Sequence, residues 1–178
     1  MKKHLPKLLV LSACLFGLIS NSIAQTGTWT KVVANAPHQN MGVMILLTDG
    51  TVICHNAQGG TYGTGWDKLT PNPAGGSYLN GTWSSIASMA NDRLFFASQV
   101  MPDGRVFVAG GEYGAGNIHG EVYNPLLNTW TATGNPPAGW NIYDGNSQIL
   151  DNGKVLVGPQ IGGTLHSIAC FMIQEQIY

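Results

Sequence analysis

A repeat is visible by eye along most of this chain. Three Thr-Trp pairs recur, at Thr28-Trp29, Thr82-Trp83 and Thr129-Trp130. Between them lie apolar runs closed by Asp49-Gly50, Asp103-Gly104 and Asn152-Gly153. Both series have a period of roughly 50 residues, a length expected of propeller blades and solenoid repeats. One such unit cannot bury its own apolar faces, so neighbouring units must cover one another.

Almost nothing after Ala24 reads as helix. Three segments read as hairpins. Met41 to Leu47 returns through Thr51 to Cys54, Leu94 to Met101 through Arg105 to Ala109, and Ser147 to Leu150 through Lys154 to Val157. Asp-Gly and Asn-Gly supply the positive φ values that two-residue hairpin turns require. The outgoing strands also match, Ser98-Gln99-Val100 against Ser147-Gln148-Ile149. The second unit is the fullest. Gly110-Gly111 lets backbones approach closely at a strand end. Tyr123 can pack its ring in the sheet and extend its hydroxyl to a backbone partner. Asn124-Pro125 opens a turn, and Asn128-Thr129-Trp130 starts another strand. The order predicts a four-stranded antiparallel meander, with the periodic Trp29, Trp83 and Trp130 as core residues of outer strands.

This arrangement resembles the Kelch repeat, which the second unit carries as Asp103-Gly104, Gly110-Gly111, Tyr123 and Trp130. The resemblance implies an all-β propeller of four-stranded blades. It covers residues 28 to 164 unevenly. In the first unit His55-Asn56 stand where the second has Ala109-Gly110, and Trp66-Asp67-Lys68-Leu69 fills the tyrosine strand. A longer loop, Pro71 to Gly81, follows. The third unit has Gly158-Pro159 in the glycine region, with Gly162-Gly163 off register. Its expected Tyr, Asn/Asp-Pro and Trp do not appear. The sequence therefore predicts about two complete blades plus an incomplete third over 25–164, followed by an atypical tail over 165–178. The tail reads as the scar of an interrupted frame in preference to a natural cap, because a propeller needs about four blades or more.

Residues 1–24 read as a secretory signal peptide. Met1-Lys2-Lys3 is basic, Leu8 to Ile19 is apolar, and Ser22-Ile23-Ala24 supplies small residues for cleavage after Ala24. The apolar run falls short of the ~20 residues that span a bilayer. Leu11-Ser12-Ala13-Cys14 also resembles a bacterial lipobox, but the apolar run continues past Cys14, which favours simple cleavage. The product is expected to be secreted or periplasmic, with no membrane span after cleavage. Asn80-Gly81-Thr82 matches a glycosylation acceptor that a bacterial-type signal leaves empty. The remaining stretch of about 154 residues is enough for one domain with a core. A net charge of −1 and 10% charged residues argue against a nucleic-acid partner or a basic membrane patch. Cys54 and Cys170 remain in the mature chain, and their spacing neither demands a disulfide nor suggests a metal cluster.

Propellers of this kind include copper radical oxidases of the galactose oxidase type. That resemblance implies a copper held by two His and an axial Tyr, with a second Tyr cross-linked to Cys. Here His38, His55, His119 and His166 show no local ligand spacing, and the tyrosines match no oxidase motif. Cys54 and His55 are neighbours on a predicted strand, so they point to opposite faces. No catalytic, metal or cofactor residue is expected, and no cofactor. Trp66 and Trp140 fall outside the periodic series. Together with Tyr143 they are the candidate ligand-binding residues, since aromatics beside Gly and Asn can stack on sugar faces. Packing between blades is the reading favoured over a ligand edge for such residues. Arg93 reads as a partner of Asp92 or as part of a solvated turn. The expectation is an exported Kelch-repeat binding module for a protein or carbohydrate ligand. The alternative is a fragment of a galactose oxidase-like copper radical oxidase or another carbohydrate-active propeller enzyme. Fold alone does not choose between them. An open propeller end would favour self-association.

Overall fold

Strand and turn alternate as the repeat requires. The computed structural model describes residues 27–57 and 60–158, and the backbone of 160–161, 164–165 and 170–172. Two units are distinguished, Met1–Thr30 and Lys31–Tyr178. Of the first, residues 27–30 are described, and they hold neither helix nor strand. The signal-peptide reading, its cleavage site, Cys14, His166 and Tyr178 lie outside the described residues.

The second unit is all-β and of propeller type. Its first blade is β1 (Met41–Leu46), β2 (Val52–Asn56), β3 (Gly65–Thr70) and β4 (Thr82–Ile86), antiparallel in that order. Its second blade is β5 (Ala97–Val100), β6 (Val106–Ala109), β7 (Gly120–Asn124) and β8 (Thr129–Ala132). Two three-stranded sheets follow. β9 (Trp140–Asn141) pairs with β12 (Gln160–Ile161), which pairs with β13 (Thr164–Leu165). β10 (Ser147–Ile149) pairs with β11 (Val155–Val157), which pairs with β14 (Cys170–Met172). Met172 lies opposite Val155, as Tyr123 lies opposite Val106 in the second blade. A strand therefore sits inside the segment read as a tail, because backbone pairing does not depend on the repeat's marker side chains.

The hairpin turns differ from the expected two-residue form. Leu47 N donates to Thr51 O at 2.8 Å and Gly50 N donates to Leu47 O at 3.0 Å. Met101/Arg105 and Leu150/Lys154 repeat the first bond, each at 2.8 Å. Only the glycine of each pair is left-handed, with φ of 81° at Gly50, 84° at Gly104 and 78° at Gly153. Asp49, Asp103 and Asn152 act through their side chains. Each accepts the N–H two residues on, from Thr51 at 2.9 Å, Arg105 at 3.1 Å and Lys154 at 3.1 Å. A turn of this kind followed by one left-handed glycine closes the same strands as a two-residue loop.

The two complete blades superpose in register. Leu69 lies between Val52 and Trp83 as Tyr123 lies between Val106 and Trp130. β6 is buried on both faces. Val106 and Val108 pack towards the first blade with Ile45, Ile53 and Trp66. Phe107 and Ala109 pack the other way, with Ile142, Val155 and Val157. This follows from the two-residue period of a strand lying between two neighbours. The Tyr123 hydroxyl donates to the Asn128 side chain at 3.0 Å, where a backbone partner was expected.

The tryptophans mark equivalent places unequally. Trp130 Nε1 donates to Ala87 O at 2.8 Å, and Trp83 Nε1 makes the same bond to Ala34 O at 3.2 Å. Both are half-buried. Trp130 also packs against Tyr123 at 5.1 Å and against Trp66 of the first blade at 5.4 Å. Trp29 is fully exposed and on no strand. It is therefore not the core residue that its spacing predicted.

A second pair of equivalent residues was not read from the sequence. Asp67 and Glu121 occupy matching positions on β3 and β7, and both are buried. Asp67 accepts from His38 N at 3.2 Å and pairs with His38 Nδ1 at 2.9 Å. Glu121 accepts from Ala90 N at 2.8 Å and Asn91 N at 3.2 Å. Each carboxylate thus anchors the segment entering its blade. Buried charge is tolerated only with partners of this kind.

Candidate functional site

A four-stranded meander sends its β2–β3 and β6–β7 loops to one end, together with the connections between blades. The hairpin turns carrying Asp49-Gly50, Asp103-Gly104 and Asn152-Gly153 lie at the other end. At the connection end the loops are stitched side by side. Gly63 bridges Arg93, and Leu94 bridges Tyr113. Glu112 N donates to Leu94 O at 3.0 Å, and Gly111 N donates to Tyr143 O at 2.8 Å. The glycine pair makes this approach feasible. A Cβ on Gly110 would lie 2.6 Å from Ile142 Cγ2, and one on Gly111 would lie 2.9 Å from Arg93 Cβ. Both glycines have positive φ, 79° and 132°.

Arg93 braces this end from beneath. Its side chain is fully buried and pairs with Glu121 at 2.7 Å. It also donates to Gly110 O at 2.9 Å and His119 O at 3.0 Å. Arg93 is therefore not a solvated turn residue, nor does it hydrogen-bond to Asp92. The Asp92 carboxylate instead accepts from Ala115 N at 2.8 Å.

On this base stand several aromatic rings. Phe95 is 59% exposed and Tyr113 46%, their centroids 6.2 Å apart in an edge arrangement. Tyr62 is exposed beside Gly63, and Trp140 and Tyr143 are half-buried. Phe95 and Tyr143 have left-handed backbones, with φ of 55° and 39°. Bulky residues seldom adopt that region unless their surroundings impose it. The Glu112 carboxylate beside the Tyr113 phenol raises its pKa, and Asp144 adds to the effect.

The sequence-predicted aromatics separate. Trp66 is 1% exposed and packs between the blades, edge-on to His55 at 5.5 Å and to Phe96 at 6.1 Å. It is a packing residue and offers no face to a ligand. Trp140 and Tyr143 do lie at the connection end. Phe95, Tyr113, Tyr62 and Glu112 were missed. One signal was available: Leu94-Phe95-Phe96 places three large apolar side chains in succession. The three precede β5, and Phe95, on its left-handed backbone, is the one left exposed.

His55 and Cys54 do not form a metal pair. His55 Nε2 donates to Gly63 O at 2.9 Å, and burial lowers the imidazole pKa, with the Arg93 charge adding. Cys54 is a buried free thiol, pushed up to about 11 by burial and by Asp67. Among the described residues no three His, Cys, Asp or Glu side chains are grouped as metal ligands. These residues do not fit a copper centre. A groove of about 450 Å³ lies at the hairpin end, lined by Val122, Leu126, Thr129 and Thr131 beside Asp103 and Arg105. Its two charged residues pair with each other at 2.6 Å. Its charges therefore compensate each other.

No protein-family model matches the chain, and no curated protein matches it. Among solved structures it is similar to a fungal alcohol oxidase described as catalytically diverse within the AA5 family, in complex with copper. The identity is 25% and the TM-score 0.44, over 66% of this chain and 26% of that one. It is also similar to YjhT, at 20% identity and a TM-score of 0.48, over 72% of this chain and 36% of that one. The chain therefore spans about a quarter of one and a third of the other. Neither likeness assigns chemistry to this chain.

Proposed function

We propose that this chain is an exported β-propeller module that binds carbohydrate at the connection end of its blades. Export rests on the signal-like residues 1–24. Carbohydrate binding rests on the Phe95–Tyr113 pair, which is exposed yet fixed by backbone bonds on both sides. Exposed apolar rings on a rigid frame mark interaction sites. Ring faces can cover the apolar face of a sugar while nearby carboxylates and carbonyls accept from its hydroxyls. Tyr62, Trp140 and Tyr143 are on the neighbouring connections at the same end. A single-stranded nucleic acid also stacks on aromatics, but it needs cations along its backbone. Here the flanking side chains are acidic.

Calorimetric titration of the mature chain with a panel of oligosaccharides tests the reading. Binding is expected, and Phe95→Ala and Tyr113→Ala should each weaken it roughly tenfold, about what one stacking contact contributes. A panel with no binder overturns the proposal. Stoichiometric copper in purified protein would instead favour the oxidase-fragment alternative.

A further inference from the structure

We infer that the carbohydrate taken by this face is a cationic one, an oligosaccharide of amino sugars whose ammonium groups meet Glu112 and Asp144 while its rings lie on Phe95 and Tyr113. The inference rests on the carbohydrate reading and adds the charge of the ligand.

The argument is one of charge complementarity at a fixed ring pair. Glu112 and Asp144 are both exposed. They come from different connections, which the Gly111 N to Tyr143 O bond of 2.8 Å holds together. Glu112 directly follows Gly111 and Asp144 directly follows Tyr143, so that bond brings both residues to the connections beside Tyr113, whose ring meets Phe95. The carboxylates therefore belong to the same loop cluster as the rings.

No described Lys or Arg at this end neutralises them: Lys31 lies two residues before Val33, whose N–H donates to Leu79 O at 2.7 Å in the β3–β4 loop at the opposite end. Arg93 is buried and held by Glu121. Arg105 pairs with Asp103 at the opposite end, where Lys154 also follows the Asn152-Gly153 turn. Lys68 lies on β3 opposite Ile53 and Ser84. The imidazoles of His38 and His119 are bonded to Asp67 and Asn135. A neutral sugar would use the rings and leave two uncompensated charges beside them. An acidic sugar would be repelled. An amino sugar supplies both an apolar ring face and a cation, and a cation beside an aromatic face gains further attraction.

The test compares oligomers of equal length of β-linked glucosamine, N-acetylglucosamine and glucose, with oligolysine as a fourth probe. They are titrated calorimetrically into the mature chain at mildly acidic pH. The glucosamine oligomer should bind roughly tenfold tighter than its acetylated form at low salt, as expected of two exposed ion pairs. High salt should remove that advantage. The double variant Glu112→Gln/Asp144→Asn should bring the affinity ratio close to unity. Equal affinities for the charged and acetylated oligomers in the unmodified chain would overturn this inference and leave the carbohydrate reading standing. Binding of none of the sugars would overturn both. Oligolysine binding as tightly as the glucosamine oligomer would show that the surface reads charge alone, which also overturns it.

Discussion

Arg93 sits fully buried with its guanidinium shared among Glu121, Gly110 O and His119 O. The two carbonyls are on the β6–β7 loop that carries Tyr113, so one side chain ties the core to the binding end. Removing one member of a buried ion pair typically costs about 3–5 kcal/mol, because the other charge is left without its partner. Arg93→Met should cost that much in urea unfolding. The double variant Arg93→Met/Glu121→Met should cost clearly less than the sum of the two single changes, and strict additivity would show that the pair is not energetically coupled. His55 gives a pH-dependent counterpart. Burial lowers its folded pKa below the ordinary 6.5, so the unfolded chain binds the proton more readily. Stability should therefore be full above that value and fall as pH drops through it towards the folded pKa. His55→Gln should flatten this slope. An unchanged acid limb in melting curves would mean that another group carries it. Neither role was legible from sequence. Arg93 stands next to Asp92, but its partner is on β7, far along the chain.

At the scale of the element, the repeat was the readable part. The three hairpins, the Gly-Gly approach and the second blade's meander all follow local rules of turn chemistry and alternation, so one unit could be read on its own. What failed was assigning burial from periodicity. Trp29, Trp83 and Trp130 share a spacing, yet one is exposed and two are half-buried. Trp66, outside the series, is the tryptophan packed deepest. A spacing fixes which strand a residue belongs to, whereas burial depends on what lies against that strand. Replacing a buried Trp with Ala costs about 3–5 kcal/mol, a large share of the ~5–15 kcal/mol that holds a domain. The expected order of destabilisation to Ala is Trp66 first, then Trp130 with its two ring contacts, then Trp83, with Trp29 near zero. Chemical denaturation of the four variants gives the order directly. A Trp29 effect as large as that of Trp130 would contradict the packing described here.

At the scale of the two complete blades, the decisive contrast is between a strand face that is covered and an equivalent one that is not. Val100 of the second blade packs against the first. Leu46, at the matching position of the first blade, is 60% exposed, as is Met44 two residues before it. The same strand of the repeat therefore has a partner in one blade and an open face in the other. Contiguous exposed apolar side chains on a sheet favour association. The connection end, with its carboxylates and stacked rings, lies away from that strand face, so association and sugar binding should be separable. We propose that the mature chain self-associates through the Met44–Leu46 face. Light scattering should show a mass that rises with concentration, and Met44→Ser/Leu46→Ser should shift the population towards monomer without changing sugar affinity. A monodisperse monomer at high concentration in the unmodified chain would refute this. So would association that persists undiminished in the double variant, since other surfaces would then be carrying it.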